Sequence, residues 1–164
     1  MFSITSASIK DIPLIRELTF QIWPQTYARL LSPEQIEYML ELMYSEVSVK
    51  KQMEGNIKFI IVNDDGQPIG FAAYERLDPT TWKLQKLYIL PSQQGKGTGR
   101  FTIDHIIAEI SAQGANSLQL QVKRDNKARY FYEKLGFMII KEVDIDIGRG
   151  YLMQDYIMEK SLSQ

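Results

Sequence analysis

The stretch TWKLQKLYILPSQQGKGTGRF, residues 81–101, decides how this chain is read. Its first ten residues are rich in β-branched, aromatic and leucine side chains and read as a strand. Pro91 then breaks the pattern, and Gly95, Gly97 and Gly99 follow. From Arg100 on, Ile103, Ile106, Ile107 and Ile110 recur at the spacing of one helix face. The glycines therefore leave the backbone bare at a helix start, where N–H groups are unpaired and partial positive charge collects. A loop of this kind suits a phosphate or pyrophosphate. It is not the nucleoside-triphosphate loop, because Lys96 lies between glycines and no Lys-Ser/Thr pair follows the last one. Nor does it match the dinucleotide fingerprint, which needs a different glycine spacing inside a βαβ unit.

Outward from the loop, further elements are legible. Toward the N-terminus, PIGFAAYE and KFIIV read as two strands of a hairpin turning at NDDG. LLSPEQIEYMLELMY reads as a helix with Ser32 as cap, Pro33 in the first turn and Gln35 as capping-box partner. A short helix over Val47–Met53 is a further candidate. Ile12, Ile15, Leu18 and Ile22 mark a helix that Pro13 opens and Pro24 is expected to stop near Trp23. Phe2–Ala7 makes an opening strand. Toward the C-terminus, SLQLQV alternates as a strand, NKARYFYEKL reads as a helix, and FMIIKEVDI and YLMQDYIMEK close as two strands. The expected order is β-α-α-β-β-β-α-β-α-β-β. One α/β (α+β) domain over residues 1–164 follows, with a mixed sheet of about six to seven strands flanked by helices.

Composition narrows the function. The chain has 164 residues, a net charge of −1 and no cysteine. That excludes a thiol nucleophile, disulfides and cysteine-held metals, and suits a cytoplasmic protein. No basic stripe points to nucleic acid, and no long apolar run or signal-like leader points to a membrane. Residues 1–80 carry a net −4 and residues 81–164 a net +3. The imbalance is either incidental or a division between a cation-facing half and an anion-holding half.

Gln94, Gly97 and Gly99 form a Q-x-x-G-x-G pattern. LYILP precedes it, and NKARYFYEKLGF follows about 30 residues later. Together these resemble the GCN5-related N-acetyltransferase (GNAT) family over about residues 69–140, and the element order of the whole chain agrees. The resemblance implies acetyl-CoA as cosubstrate. Its pyrophosphate is expected on the backbone of Gln94, Gly95, Lys96, Gly97, Thr98, Gly99 and Arg100, with Lys96 and Arg100 adding charge. Pantetheine is expected along the backbone of Leu87, Tyr88 and Ile89, where an N–H also faces the thioester oxygen. Asn126 matches the motif's cofactor-contacting asparagine, although its spacing to the tyrosine is short. Tyr132 matches the tyrosine proposed to protonate the departing thiolate. A phenol of ordinary pKa about 10 can do so if held close.

The general base stays open. The position that holds glutamate in some members is Gln85, which cannot take a proton. Glu75, Asp155 or a chain of waters are the alternatives. Trp23, Tyr27 and Tyr38 are the candidate acceptor-binding residues, with cation–π contact to an amine and negative field from Glu34, Glu37 and Glu41. Some likeness to polyamine acetyltransferases implies a small amine acceptor, with polycationic amines among the candidates. A protein or peptide amine and a non-catalytic acetyl-CoA sensor are the alternatives. His105 lies beside the isoleucine stripe and reads as structural. No residue cluster has metal-ligand spacing, so no metal is expected. The apolar YLMQDYIM permits a homodimer.

Overall fold

The computed structural model describes residues 1–162. In chain order the elements are β1 (Phe2–Ser6), α1 (Ile12–Tyr27), α2 (Pro33–Tyr44), α3 (Glu46–Glu54), β2 (Lys58–Asp64), β3 (Gln67–Asp78) and β4 (Thr81–Ile89). After them come α4 (Thr98–Ser111), β5 (Ser117–Lys123), α5 (Ala128–Lys134), β6 (Met138–Gly148) and β7 (Tyr151–Ser161). The α/β fold is built on a seven-stranded mixed sheet in the order β1-β2-β3-β4-β5-β7-β6. β4 and β5 run parallel, whereas β1–β2, β2–β3, β5–β7 and β6–β7 are antiparallel.

Two helical expectations need correction. The first is Pro24, which does not stop α1 but sits inside it. A proline removes the bond to the carbonyl four residues back, here that of Phe20. Phe20 is exposed, so its carbonyl can be hydrated instead. The last turn is held by packing, with the Trp23 and Tyr27 rings 4.6 Å apart. The second is the element order, which lacked α3: the helix expected over Val47–Met53 forms as Glu46–Glu54 and adds a third member before β2. Ser45 caps it, its hydroxyl accepting from Ser48 N at 3.2 Å. Only Val49 of this helix is buried, so the apolar period that marks a helix is faint. At α2 the Ser32 cap forms, with Gln35 N donating to its Oγ at 3.1 Å.

The chain divides into two compact units, Met1–Glu75 with Lys86–His105, and Arg76–Gln85 with the residues from Ile106 on. In the first unit, Ile12, Ile15, Leu18, Ile22 and Trp23 form the buried stripe of α1. Tyr44, Val49, Phe59, Ile61 and Phe71 are buried in the same unit. Each such side chain contributes roughly 1.5–3 kcal/mol on leaving water. A second cluster, Val62, Ile69 and Ile89, packs with Phe2, Ile4, Leu87 and Leu90. There β4 passes so close to β3 that a Cβ on Gly70 would lie 2.4 Å from the Tyr88 carbonyl oxygen.

In the second unit, β5 alternates as its sequence requires, with Leu118, Leu120 and Val122 buried and Gln119, Gln121 and Lys123 on the other face. Phe137 and Met158 are buried in this unit too. The parallel ladder joins Thr81–Leu84 to Ser117–Leu120. Among the described residues, no helix is long and apolar enough to cross a membrane.

Candidate active site

The glycine loop lies between β4 and α4, in the first unit. Gly95 and Gly97 hold φ of +80° and +82°. L-residues avoid this region, and single residues there turn successive N–H groups toward one side. Gln94 N donates to Pro91 O at 3.3 Å, so its amide is already used. The N–H groups from Gly95 to Arg100 have no acceptor among the described residues. A Cβ built on Gly95 or Gly97 would meet nothing within 4 Å. Open space and bare donors at a helix start fit a pyrophosphate. Thr98 is buried, and its hydroxyl donates to Gln93 O at 3.3 Å, which pins the loop to the turn before it. Lys96 and Arg100 are exposed, and Arg100 pairs with Asp104 at 3.9 Å. Gln93 was not legible as a site residue, yet its side-chain oxygen is buried without a donor among the described residues.

Leu87, Tyr88 and Ile89 end β4 and lead into the loop. Leu87 and Ile89 belong to the Val62 cluster. Tyr88 points the other way, with ring centroids 5.9 Å from Trp23 and 5.8 Å from Phe71. Its hydroxyl lies 3.0 Å from that of Tyr27. Tyr44 completes the cluster, 5.5 Å from Trp23. Trp23 is only 2% exposed, so its ring is core. Tyr38 is half-buried on α2, and Glu34, Glu37 and Glu41 are exposed on the same helix.

The cation seat of this aromatic cluster is already taken. Lys86 Nζ lies 4.3 Å from the centre of the Tyr44 ring. Lys86 is half-buried, and burial pulls its pKa down to about 8. Burial also pushes the Tyr44 phenol well above its ordinary range.

Asn126, Tyr132 and Asp155 belong to the second unit. Asn126 Oδ1 accepts from Ala128 N at 2.9 Å, an Asx turn that leads into α5. Tyr132 is half-buried on α5, its ring 5.7 Å from that of Phe137. Asp155 is 3% exposed. Gln121 Nε2 donates to it at 3.4 Å, and Lys83 Nζ donates to Gln121 Oε1 at 2.6 Å. Burial raises the Asp155 pKa, with Gln121, Lys123, Lys83 and Arg124 opposing. Glu75, the other candidate base, is half-buried near the end of β3 in the first unit.

The Asp155 shift has a consequence for stability. A carboxyl raised on folding holds its proton to higher pH than the unfolded chain does. Its stabilising share is complete below the unfolded value, near 4, and is lost as pH rises through the folded value. Asp155→Asn should therefore gain on the wild type between about pH 4 and pH 7. Urea denaturation at both pH values checks this, and a constant difference would contradict it.

A surface groove of about 550 Å³ lies apart from these groups, beside β1 and the start of β2. Its ionisable lining residues are Lys10 and Lys58, and none of the expected site residues lines it. Among the described residues, no group of three or more His, Asp or Glu is placed to hold a metal.

A glycine loop of bare donors between a strand and a helix suits a phosphate-bearing ligand. Comparison with known proteins agrees. Residues 27–160 match the family model described as an acetyltransferase (GNAT) domain. The chain belongs to the GNAT acetyltransferase family, whose members use acetyl-CoA, and is an N-acetyltransferase of that type. It is similar to the spermidine N(1)-acetyltransferase of Thermoplasma acidophilum, with 29% identity over 96% of this chain and 95% of that one. Among solved structures, the PaiA N-acetyltransferase of Thermoplasma acidophilum in complex with coenzyme A superposes with a TM-score of 0.83. The two are 26% identical over 98% of this chain and 99% of that chain. A Haemophilus influenzae relative, the ribosomal protein bS18 alanine N-acetyltransferase, is 40% identical over 55% of this chain. That match spans only 57% of the relative's length.

Proposed function

We propose that the protein transfers an acetyl group from acetyl-CoA to a primary amine of a small molecule, by direct attack of the amine. The observation that carries this is the run of unfilled N–H donors from Gly95 to Arg100 at the start of α4. When bound, acetyl-CoA supplies an activated acetyl thioester. The donors of the loop hold its pyrophosphate, and the backbone of Leu87, Tyr88 and Ile89 aligns its pantetheine arm. Asn126 adds a polar contact from the start of α5.

Two side chains manage protons. Tyr132 holds one at Oη for the leaving sulfur. Asp155 is the better candidate base of the two carboxylates, because burial raises its pKa and so favours taking up a proton. Loss of Tyr132 through Tyr132→Phe should lower turnover about 100-fold while leaving acetyl-CoA affinity nearly unchanged. Steady-state kinetics with calorimetry checks this; unchanged turnover would remove Tyr132 as the acid.

The acceptor has a second reading. Similarity to the bS18 alanine enzyme favours the α-amine of a protein, whereas similarity to the spermidine enzyme over nearly the full chain favours a small amine. Mass spectrometry of products from acetyl-CoA with spermidine, spermine, amino acids, aminoglycosides and short peptides separates them. A small product heavier by one acetyl group supports the first. Acetylated peptide alone supports the second. Acetyl-CoA binding with no product from any acceptor would point to a non-catalytic sensor and overturn both.

A further inference from the structure

We propose that the acceptor carries an anionic group, in the simplest case a carboxylate, which is received by the ammonium of Lys86 in the aromatic cluster of α1, α2, β3 and β4. This rests on the reading of the protein as a small-amine acetyltransferase and names the acceptor class more narrowly.

Lys86 sits one residue before the β4 stretch that leads into the glycine loop. Lys86 is half-buried, and its ammonium lies over the Tyr44 ring, 4.3 Å from the centroid. Among the described residues no carboxylate lies within 4.0 Å of it. A buried cation without a counter-ion is costly, and a ring face offsets only part of that cost. Arg16 Nε donates to the Tyr44 carbonyl at 2.9 Å, and Glu46 is engaged by Arg16 at 3.4 Å. Glu34, Glu37 and Glu41 are exposed on α2.

A cation lacking a counter-ion in this cluster calls for a ligand that brings acceptor oxygens. A polycation would instead bring more positive charge to a seat the chain has filled with its own lysine. At neutral pH, below its pKa of about 8, Lys86 is mostly charged. It therefore acts as a specificity residue that selects acids over amides and over polyamines.

Matched acceptors test this. Glycine, β-alanine and 4-aminobutyrate would each be compared with its carboxamide, and with spermidine, by kcat/KM for CoA release. The amine of each amide is the more acidic, so its unprotonated fraction favours the amide and cannot create a preference for the acid. Calorimetry with N-acetyl-β-alanine and its amide gives a readout independent of turnover. The wild type should prefer the acid by about tenfold or more in at least one pair, in kcat/KM and in binding. Lys86→Met should erase the preference. Folding of that variant is checked by circular dichroism, and Lys86→Gln serves if it fails to fold; replacing a buried charge by an apolar chain commonly leaves stability unchanged or higher. Equal use of acid and amide, better use of spermidine, or a preference that survives Lys86→Met would overturn the proposal. If no amine is turned over, the small-amine reading fails by itself. Calorimetry then decides the subsite: equal binding of acid and amide overturns it, and tighter binding of the acid that depends on Lys86 upholds it.

Discussion

Gly97→Val is expected to weaken acetyl-CoA binding by at least about 100-fold while leaving the fold intact. Gly97 sits at φ +82°, and a Cβ there would meet nothing within 4 Å. No packing is therefore disturbed, and the stability cost is limited to about 1–3 kcal/mol of backbone strain. The damage falls on the loop itself. Relief of that strain rotates the peptides that aim the neighbouring N–H groups, and the valine methyls fill the space a phosphate would need. Two lost charge-assisted hydrogen bonds account for the expected factor. Calorimetry with acetyl-CoA measures it. Binding at the wild-type level would sink the pyrophosphate assignment, because the loop could then not be the cradle.

Gly70→Ala should act on stability instead. Its added methyl would lie 2.4 Å from the Tyr88 carbonyl oxygen, 2.6 Å from Ile89 Cδ1 and 3.1 Å from Ile89 Cα. Two of those atoms are backbone and cannot swing aside. Leu90 N is tied to Ile69 O at 2.8 Å, so β4 is held against β3 at this point. Separating the strands costs about 3 kcal/mol or more, or roughly 10 °C in melting temperature for a chain of this size. Thermal and urea denaturation read the loss directly. A variant as stable as the wild type would mean the strands do not approach as closely as described.

What could be seen in the sequence was local in origin. The loop was legible because glycine spacing, the strand before it and the isoleucine period after it are all short-range signals. The β5 alternation and the Ser32 cap were legible for the same reason. Continuation of α1 through Pro24 was not, because it depends on Phe20 facing water and on Trp23 packing against Tyr44, 21 positions away. Lys86 was the largest omission. A lysine in a strand ordinarily reads as solvent-facing, and the ring that covers it comes from α2, far back in the chain. Gly70 carried no signal either, since a strand glycine announces a close approach only once the neighbouring strand is known.

The β4–β5 ladder also bears on how the chain reaches its fold. The β2–β3 and β6–β7 hairpins join neighbours in sequence and can form early. Thr81 meets Ser117, however, 36 positions on, and only four residue pairs result. Such a parallel seam carries a large loop-closure cost for few hydrogen bonds, and parallel pairs are slightly weaker per residue. It is expected to form late in folding, after α4 has condensed between its two strands and shortened the span to be closed.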